Sequence, residues 1–514
     1  MAKSGLKKEI GFFTLLSIGV GGILGSGIFG MPAIMAAVAG PALILAILIS
    51  GIITFFLGIA YAELGSAFPI SGGPYSLPKL ALGNMGGFLM GWGYFLYLFI
   101  GTAAVIDIFV VYLGFYVPNL AHGGTLTPLG ILVALIALWA FTLINVFGVK
   151  WGGLYSVVTT VGKLIPLAIF FLVGLSFVQG HNFTPFIPFG FTGVTLGVAL
   201  FFWSFTGFEA IVMPTEEVKN PAKTIPWAMI LTIIIVLVVY TLLAFVFLGM
   251  IDWKGLGINA GDWKRIGELT SPFADVAIGI GLPWLAAIAT IGAIIATAGA
   301  GGSWVLIQAR LPFAMARDKL FWKPMANVNK KYGTPIASLI FTSVLTSIIM
   351  IAIPNFASVA LIASVTGVVP YAAAVLAVKI LRKTKPNVKR PFRLPMVNLV
   401  TIIGFVLATF VIYWATWPWS LVGVMLMLTG FIAFIFVNKK WEIKRNLWLI
   451  AYLLGIVIIS YLGDPSLMFN NFLPIDPLGY LKLPYDLIVL SVFAILIYLW
   501  AYNENKKYKE KSKK

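Results

Sequence analysis

The 514-residue chain has no cysteine and only two histidines. The missing thiols exclude disulfides, thiolate metal sites and a cysteine nucleophile, and leave the redox compartment unreadable. His122 and His181 both fall in loops between apolar runs, which argues against a buried metal or proton site built on imidazole. Charge is scarce as well. Charged residues make up 10% of the chain, against roughly 25% in a soluble domain, and no polar stretch is long enough for a soluble domain. No Gly-x-x-x-x-Gly-Lys-Ser/Thr loop occurs, so the chain carries no ATP-driven motor of that kind. No His-Glu-x-x-His helix, paired aspartates or Ser/His arrangement lies within a span, so an intramembrane enzyme is disfavoured. The expectation is a protein that is not an enzyme and uses no metal or cofactor.

What is present is apolar. Hydrophobic residues reach 60% and the mean hydropathy is +1.01. Runs of about 20 residues, enough to cross a bilayer, recur near 14–38, 41–64, 88–117, 129–147, 156–179, 193–213, 226–250, 273–309, 335–353 and 357–380. Four more follow near 397–415, 419–438, 446–463 and 484–502. The first is too long and too glycine-rich for a cleaved signal peptide. Positive charge tests the count. With a cytoplasmic N-terminus, the inward segments hold thirty of the 35 Lys and Arg residues. The outward loops hold four (Lys254, Lys264, Arg265 and Lys482), and Lys163 lies within a span. That asymmetry is the positive-inside pattern, and it places both termini and the basic tail 503–514 in the cytoplasm of a multi-pass plasma-membrane protein. The net charge of +18 is therefore a topology signal and no sign of nucleic-acid binding, since the basic runs flank membrane spans.

Two spans have unusual interiors. The first contains Gly19-Val20-Gly21-Gly22-Ile23-Leu24-Gly25-Ser26-Gly27-Ile28-Phe29-Gly30. Each glycine weakens a helix by about 0.8–1.0 kcal/mol relative to alanine. Such a run is either a close-packing face or a deliberate break offering backbone groups to a ligand; consecutive glycines favour the break. The sixth span reads Phe202-Trp203-Ser204-Phe205-Thr206-Gly207-Phe208-Glu209-Ala210, polar and acidic in mid-membrane. Interrupted helices at corresponding places in two halves point to a transporter's midplane site. Residues 14–179 and 193–380 then read as five-helix repeats of opposite orientation, with helices 1 and 6 broken. Residues 397–502 read as four peripheral helices, a scaffold or homo-oligomer surface.

Five stretches carry a resemblance. They are Gly25-Ser26-Gly27-Ile28-Phe29; Tyr61-Ala62-Glu63-Leu64 with Phe68-Pro69-Ile70-Ser71-Gly72-Gly73-Pro74-Tyr75; and Phe205-Thr206-Gly207-Phe208-Glu209 with Glu217-Val218-Lys219-Asn220-Pro221. Met315-Ala316-Arg317-Asp318 with Tyr332-Gly333-Thr334-Pro335, and Arg390-Pro391-Phe392-Arg393, complete the set. In this order over residues 10–395 the chain resembles the amino acid–polyamine–organocation superfamily of secondary transporters. The resemblance implies an all-α, leucine-transporter-like core of five plus five helices, and the fourteen-span count is similar to the cationic amino acid and related branches. Lys319 stands where the family has a glycine.

The resemblance and the chemistry together name a site. The N–H groups of Ser26, Gly27 and Ile28, uncapped beyond Gly25, suit a substrate carboxylate, helped by the Ser26 hydroxyl. Carbonyls of Trp203, Phe205 and Thr206, before Gly207, suit an α-ammonium. Trp203 and Trp304 resemble aromatic walls of that site, and Thr102 resembles a side-chain contact. Glu209 has the role of gating or of holding the broken helix, and Glu63 a structural one. Asp107 either pairs with Lys163, takes a bond from a neighbouring hydroxyl, or faces a cationic substrate; structural pairing ranks first. In proton-coupled members of the resembled family a span-five lysine sits where sodium-driven relatives hold their ion, and Lys163 matches it. A lysine removed from water gives up its proton more readily. The reading is an alternating-access carrier of amino acids, driven by a coupling proton. The alternative is an amino acid or polyamine exchanger without net proton coupling. A channel is disfavoured by the two breaks.

Overall fold

The computed structural model describes residues 8–122, 124–147, 152–437, 442–465 and 475–508, with the side chains of 152–161 excepted. Residues 1–7, part of the 464–483 loop and the end of the basic tail 503–514 lie outside the described residues.

The sequence begins with a broken helix, α1 (Phe12–Ile23) and α2 (Ser26–Ala39), followed by α3 (Leu43–Ala67) and α4 (Gly73–Leu113). Next come α5 (Pro128–Val146), α6 (Gly152–Gly174) and α7 (Gly190–Phe205), then α8 (Pro221–Gly249). Two short helices, α9 (Trp263–Ile266) and α10 (Pro272–Gly279), precede α11 (Pro283–Arg317), α12 (Ile336–Ala352) and α13 (Phe356–Thr384). The chain continues with α14 (Val397–Trp414), α15 (Trp419–Val437), α16 (Ile443–Leu462) and α17 (Tyr485–Asn505). The strands among the described residues form one two-residue hairpin, Ala121–His122 with Thr125–Leu126. The protein is all-α and built for a membrane. Eleven described helical stretches are long and apolar enough to cross one. The first of these, Phe12–Ala67, has 56 residues, enough for two crossings. Counting it twice and adding the shorter apolar helices Gly162–Phe177 and Ile336–Ala352 gives fourteen.

The expected span 273–309 is not one helix. Gly281 takes φ +78° and Pro283 opens a new helix, so α10 ends at Gly279 and the eighth span runs from Pro283 to Arg317. Met315-Ala316-Arg317, expected in the loop, is therefore the last turn of α11. Beyond it, Lys319 takes φ +60°. This is the left-handed conformation that a glycine adopts without steric cost.

Helices α4 and α13 form the buried centre, whereas α5, α15 and α17 turn much of their surface outward. At one end of the bundle, polar contacts fix the loops. Glu63 accepts two bonds from Arg382, at 2.8 and 2.5 Å, and one from the Leu394 N–H at 2.7 Å. Arg390 stands 3.6 Å away, so Glu63 is structural. Asp318 accepts from Tyr75 at 2.7 Å and Lys79 at 2.6 Å, tying the start of α4 to the end of α11. The Ile10 N–H donates to Glu217 O and the Lys219 N–H to Ile10 O, which joins the entrance of α1 to the segment after α7.

Candidate functional site

Both breaks fall where the sequence puts them. The helix of span one stops at Leu24 (ψ +84°) and restarts after Gly25 (φ −129°, ψ −137°). Gly25 has no side chain to cap α2, so the first-turn N–H groups of Ser26, Gly27 and Ile28 are free of a side-chain cap and carry the positive end of the helix dipole. The rival packing explanation is also right for neighbouring glycines. A Cβ on Gly27 would lie 2.3 Å from Ser204 Oγ, one on Gly19 2.5 Å from Thr232 Oγ1, and one on Gly30 2.5 Å from Phe356. Gly25, in contrast, faces nothing closer than 3.8 Å. The motif both packs and opens.

In span six, α7 ends at Phe205, Thr206 is extended, and Gly207 is left-handed at φ +107°. The chain resumes as a short 3₁₀ turn, Phe208–Val212. A Cβ on Gly207 would stand 2.5 Å from Gly22 O, so the two breaks touch through glycine backbone. Glu209 is buried and caps its own break: Oε2 accepts from the Gly207 N–H at 3.0 Å and Oε1 from Tyr94 at 3.1 Å. No lysine, arginine or histidine pairs with it among the described residues.

Lys163 is buried on α6, and its Nζ donates to Gly21 O at 2.7 Å and to Leu24 O. The ammonium thus satisfies carbonyls released where α1 ends. Tyr240 of α8, which sequence reasoning missed, holds the same junction: its hydroxyl lies 2.8 Å from Ile23 O and 2.9 Å from Ser204 O. One phenol bridges both broken helices. A tyrosine within the run Val238-Val239-Tyr240-Thr241-Leu242 carries no sequence signal for that role.

A cavity of about 10 Å³ lies between the breaks, lined by Gly25, Ser26, Gly27, Trp203, Thr206 and Trp304 of the expected set. Gly22, Ile23, Val105 and Ser204 complete its walls. It has room for a single water and must widen before an amino acid enters. Trp203 and Trp304 pack with centroids 5.5 Å apart, both against Tyr97, and both rings press on the bare Cα of Gly101. Ser204 Oγ is buried beside the cavity without a partner.

Several expected residues stand elsewhere. Thr102 does not line the cavity, because its hydroxyl bonds back to Leu98 O at 2.8 Å; Val105 is the α4 side chain that reaches it. The Phe205 ring packs between Phe201 and Tyr240. Ile28 does not line the cavity. The Trp203 carbonyl is already taken by the N–H and hydroxyl of Thr206, at 3.0 and 2.6 Å. Gly207 N–H is used by Glu209. Among the described residues Asp107 pairs with neither Lys163 nor a hydroxyl: both of its oxygens are buried without a hydrogen-bond partner. The structural-pairing expectation is thereby overturned, and Lys163 instead donates to Gly21 O and Leu24 O of the first break.

Residues 10–461 match the family described as amino acid permease. The chain is 28% identical over 522 residues to the glutamate/serine transporter AimA of Bacillus subtilis (strain 168), spanning 96% of this chain and 94% of that protein. It is 30% identical over 522 residues to the aspartate-proton symporter of the same organism, covering 98% and 97%. The serine/threonine exchanger SteT, also from that organism, is 30% identical over 80% of this chain and 91% of its own length.

Proposed function

The chain belongs to the amino acid permease family and is a transporter of amino acids rather than an enzyme; we propose that it works by alternating access and is driven by an inward flow of protons. The observation that carries the coupling is the Lys163 ammonium on the carbonyls of the first break. A fixed cation there occupies the electrostatic role of a bound ion, and unlike a metal ion it can lose its charge in place. With the proton on, Lys163 holds α1 against α6. With the proton off, the neutral amine keeps N–H groups but no charge, the two bonds weaken to ordinary hydrogen bonds, and the half-helix is released to move.

The substrate's carboxylate takes the N–H groups of Ser26, Gly27 and Ile28, with the Ser26 and Ser204 hydroxyls beside it. Since Thr206 already occupies the Trp203 carbonyl, the ammonium is left with those of Phe205 and Thr206. Trp203 and Trp304 close over the side chain. Helices 1–5 and 6–10 act as inverted repeats around this site, in a plasma membrane with both termini cytoplasmic, and residues 397–502 brace them. The kinship to a proton symporter supports the coupling. The kinship to an exchanger favours the second reading, amino acid exchange without net proton movement.

A thermal-shift screen of the purified protein against the twenty L-amino acids and the common polyamines identifies ligands, since binding stabilises the folded state. Proteoliposomes then separate the readings. A carrier coupled to protons concentrates label into vesicles without internal amino acid; an exchanger moves label only against a preloaded one.

A further inference from the structure

Asp107 differs from every other acid buried in the spans of the first ten helices. Glu63 has two arginines and a backbone N–H, and Glu209 has a backbone N–H and a tyrosine. Asp107 is wholly buried in the outer half of α4, and among the described residues neither oxygen has a hydrogen-bond partner. Its surroundings supply no compensation. Helices α2, α5, α12 and α15, which pack on α4, contain no titratable residue at all. The remaining neighbours carry Tyr61 and Glu63 (α3), Glu209 in the turn after α7, Arg310 and Arg317 (α11), Tyr371, Lys379, Arg382 and Lys383 (α13), and Lys444, Arg445, Tyr452 and Tyr461 (α16). On α4 itself are Tyr75, Lys79, Tyr94, Tyr97 and Tyr112. Among the described residues, none of these groups bonds either Asp107 oxygen.

An ionised carboxylate with no partner in such a place costs several kcal/mol, whereas the neutral acid costs much less. The position also couples it to the transport machinery. Val105, two residues before it, lines the cavity. The Ile106 side chain reaches the bare Cα of Gly301 on α11, and Ile108 fills the place of a Cβ on Gly30 of α2. Asp107 thus sits on a stretch wedged between the half-helix after the first break and the helix that bears Trp304. Any rearrangement of either one changes what surrounds it.

We propose that Asp107 is a proton-carrying site of the transport cycle, protonated in the conformation described and deprotonated when movement of α2 or α11 admits water. The proton passes from water to the carboxylate on one side of the membrane and back to water on the other, with no other bond changed. The proposal rests on the carrier reading above, but its proton is separate from that of Lys163.

Infrared spectroscopy of the full-length protein at neutral pH reads the site directly, without substrate. The wild type should show the C=O stretch of a protonated carboxyl that Asp107→Asn lacks, with a thermal midpoint in the variant no lower than in the wild type. Proteoliposomes supplied with a mixture of the twenty radiolabelled L-amino acids read its role. Loss of one carried proton makes the decline of uptake with rising outer pH shallower, by up to about tenfold per pH unit. Absence of the band would overturn the proposal, and so would an unchanged pH profile in Asp107→Asn. Failure of the Lys163 assignment has a different signature, namely accumulation that survives in Lys163→Ala.

Discussion

The two breaks at the centre of the bundle are opened alike and held differently. In span one the carbonyls freed at the end of α1 are met by groups from other helices, the Lys163 ammonium and the Tyr240 hydroxyl. The N–H groups at the start of α2 are left to the cavity. In span six the break is closed mainly by its own residues, with Tyr94 on Glu209 and Tyr240 on the Ser204 carbonyl as contacts from other helices. Glu209 takes the Gly207 N–H, Thr206 takes the Trp203 carbonyl, and the helix resumes only as a 3₁₀ turn. A break held mainly by its own residues does not depend on a cation supplied by another helix. One held by a lysine from another helix loses charge-assisted bonds when that lysine gives up its proton. In the proposed cycle the first break is the switch and the second the wall.

The most severe test of this contrast is Lys163→Arg. Arginine keeps its charge at any physiological pH, so the first break stays clamped; both accumulation and counterflow of labelled amino acids should fall below a tenth of the wild-type rate. Next comes Gly27→Ala, whose new Cβ would meet Ser204 at 2.3 Å. It should weaken amino acid binding at least tenfold in a thermal-shift titration, and Ser204→Gly added to it should restore part of that loss. Full binding in the single variant would show that α2 and α7 are not held at this distance. Glu209→Gln keeps a carbonyl oxygen for the Gly207 N–H and loses the charge assistance, at a cost of about 1 kcal/mol. Transport should slow a few-fold while accumulation by a proton gradient persists. If accumulation disappears, the second break is no passive wall. The smallest effect belongs to Lys319→Gly outside both breaks, where release from φ +60° should raise stability by about 1 kcal/mol, read as a higher thermal midpoint.

Much of this was legible in the chain. Apolar run length placed nearly every span, because a membrane helix must satisfy its backbone internally over a fixed thickness. It misjudged 273–309, where hydrophobicity continues through Gly281 and Pro283 although the backbone turns. Glycine density and mid-span polarity located both breaks, since those residues are costly inside a continuous apolar helix. What was hidden is facing. Thr102 and Val105 lie within one turn, and only the packing of α4 decides which of them meets the cavity. The partners of a long side chain were equally hidden. Lys163 and Asp107 look complementary in sequence, yet one clamps a break and the other stands alone. Tyr240 had no signal because a single phenol in an apolar run is usually packing.

In the proposed cycle the charge on Lys163 converts a proton gradient into movement of the first break. The most direct measurement of that coupling uses proteoliposomes without sodium, under an imposed inward proton gradient, supplied with the mixture of twenty radiolabelled L-amino acids. Wild type and Lys163→Ala are compared for accumulation and for counterflow. The wild type should concentrate label several-fold, and Lys163→Ala should still exchange label yet concentrate none. Accumulation in Lys163→Ala equal to the wild type, or a wild type inert until sodium is added, would contradict that coupling.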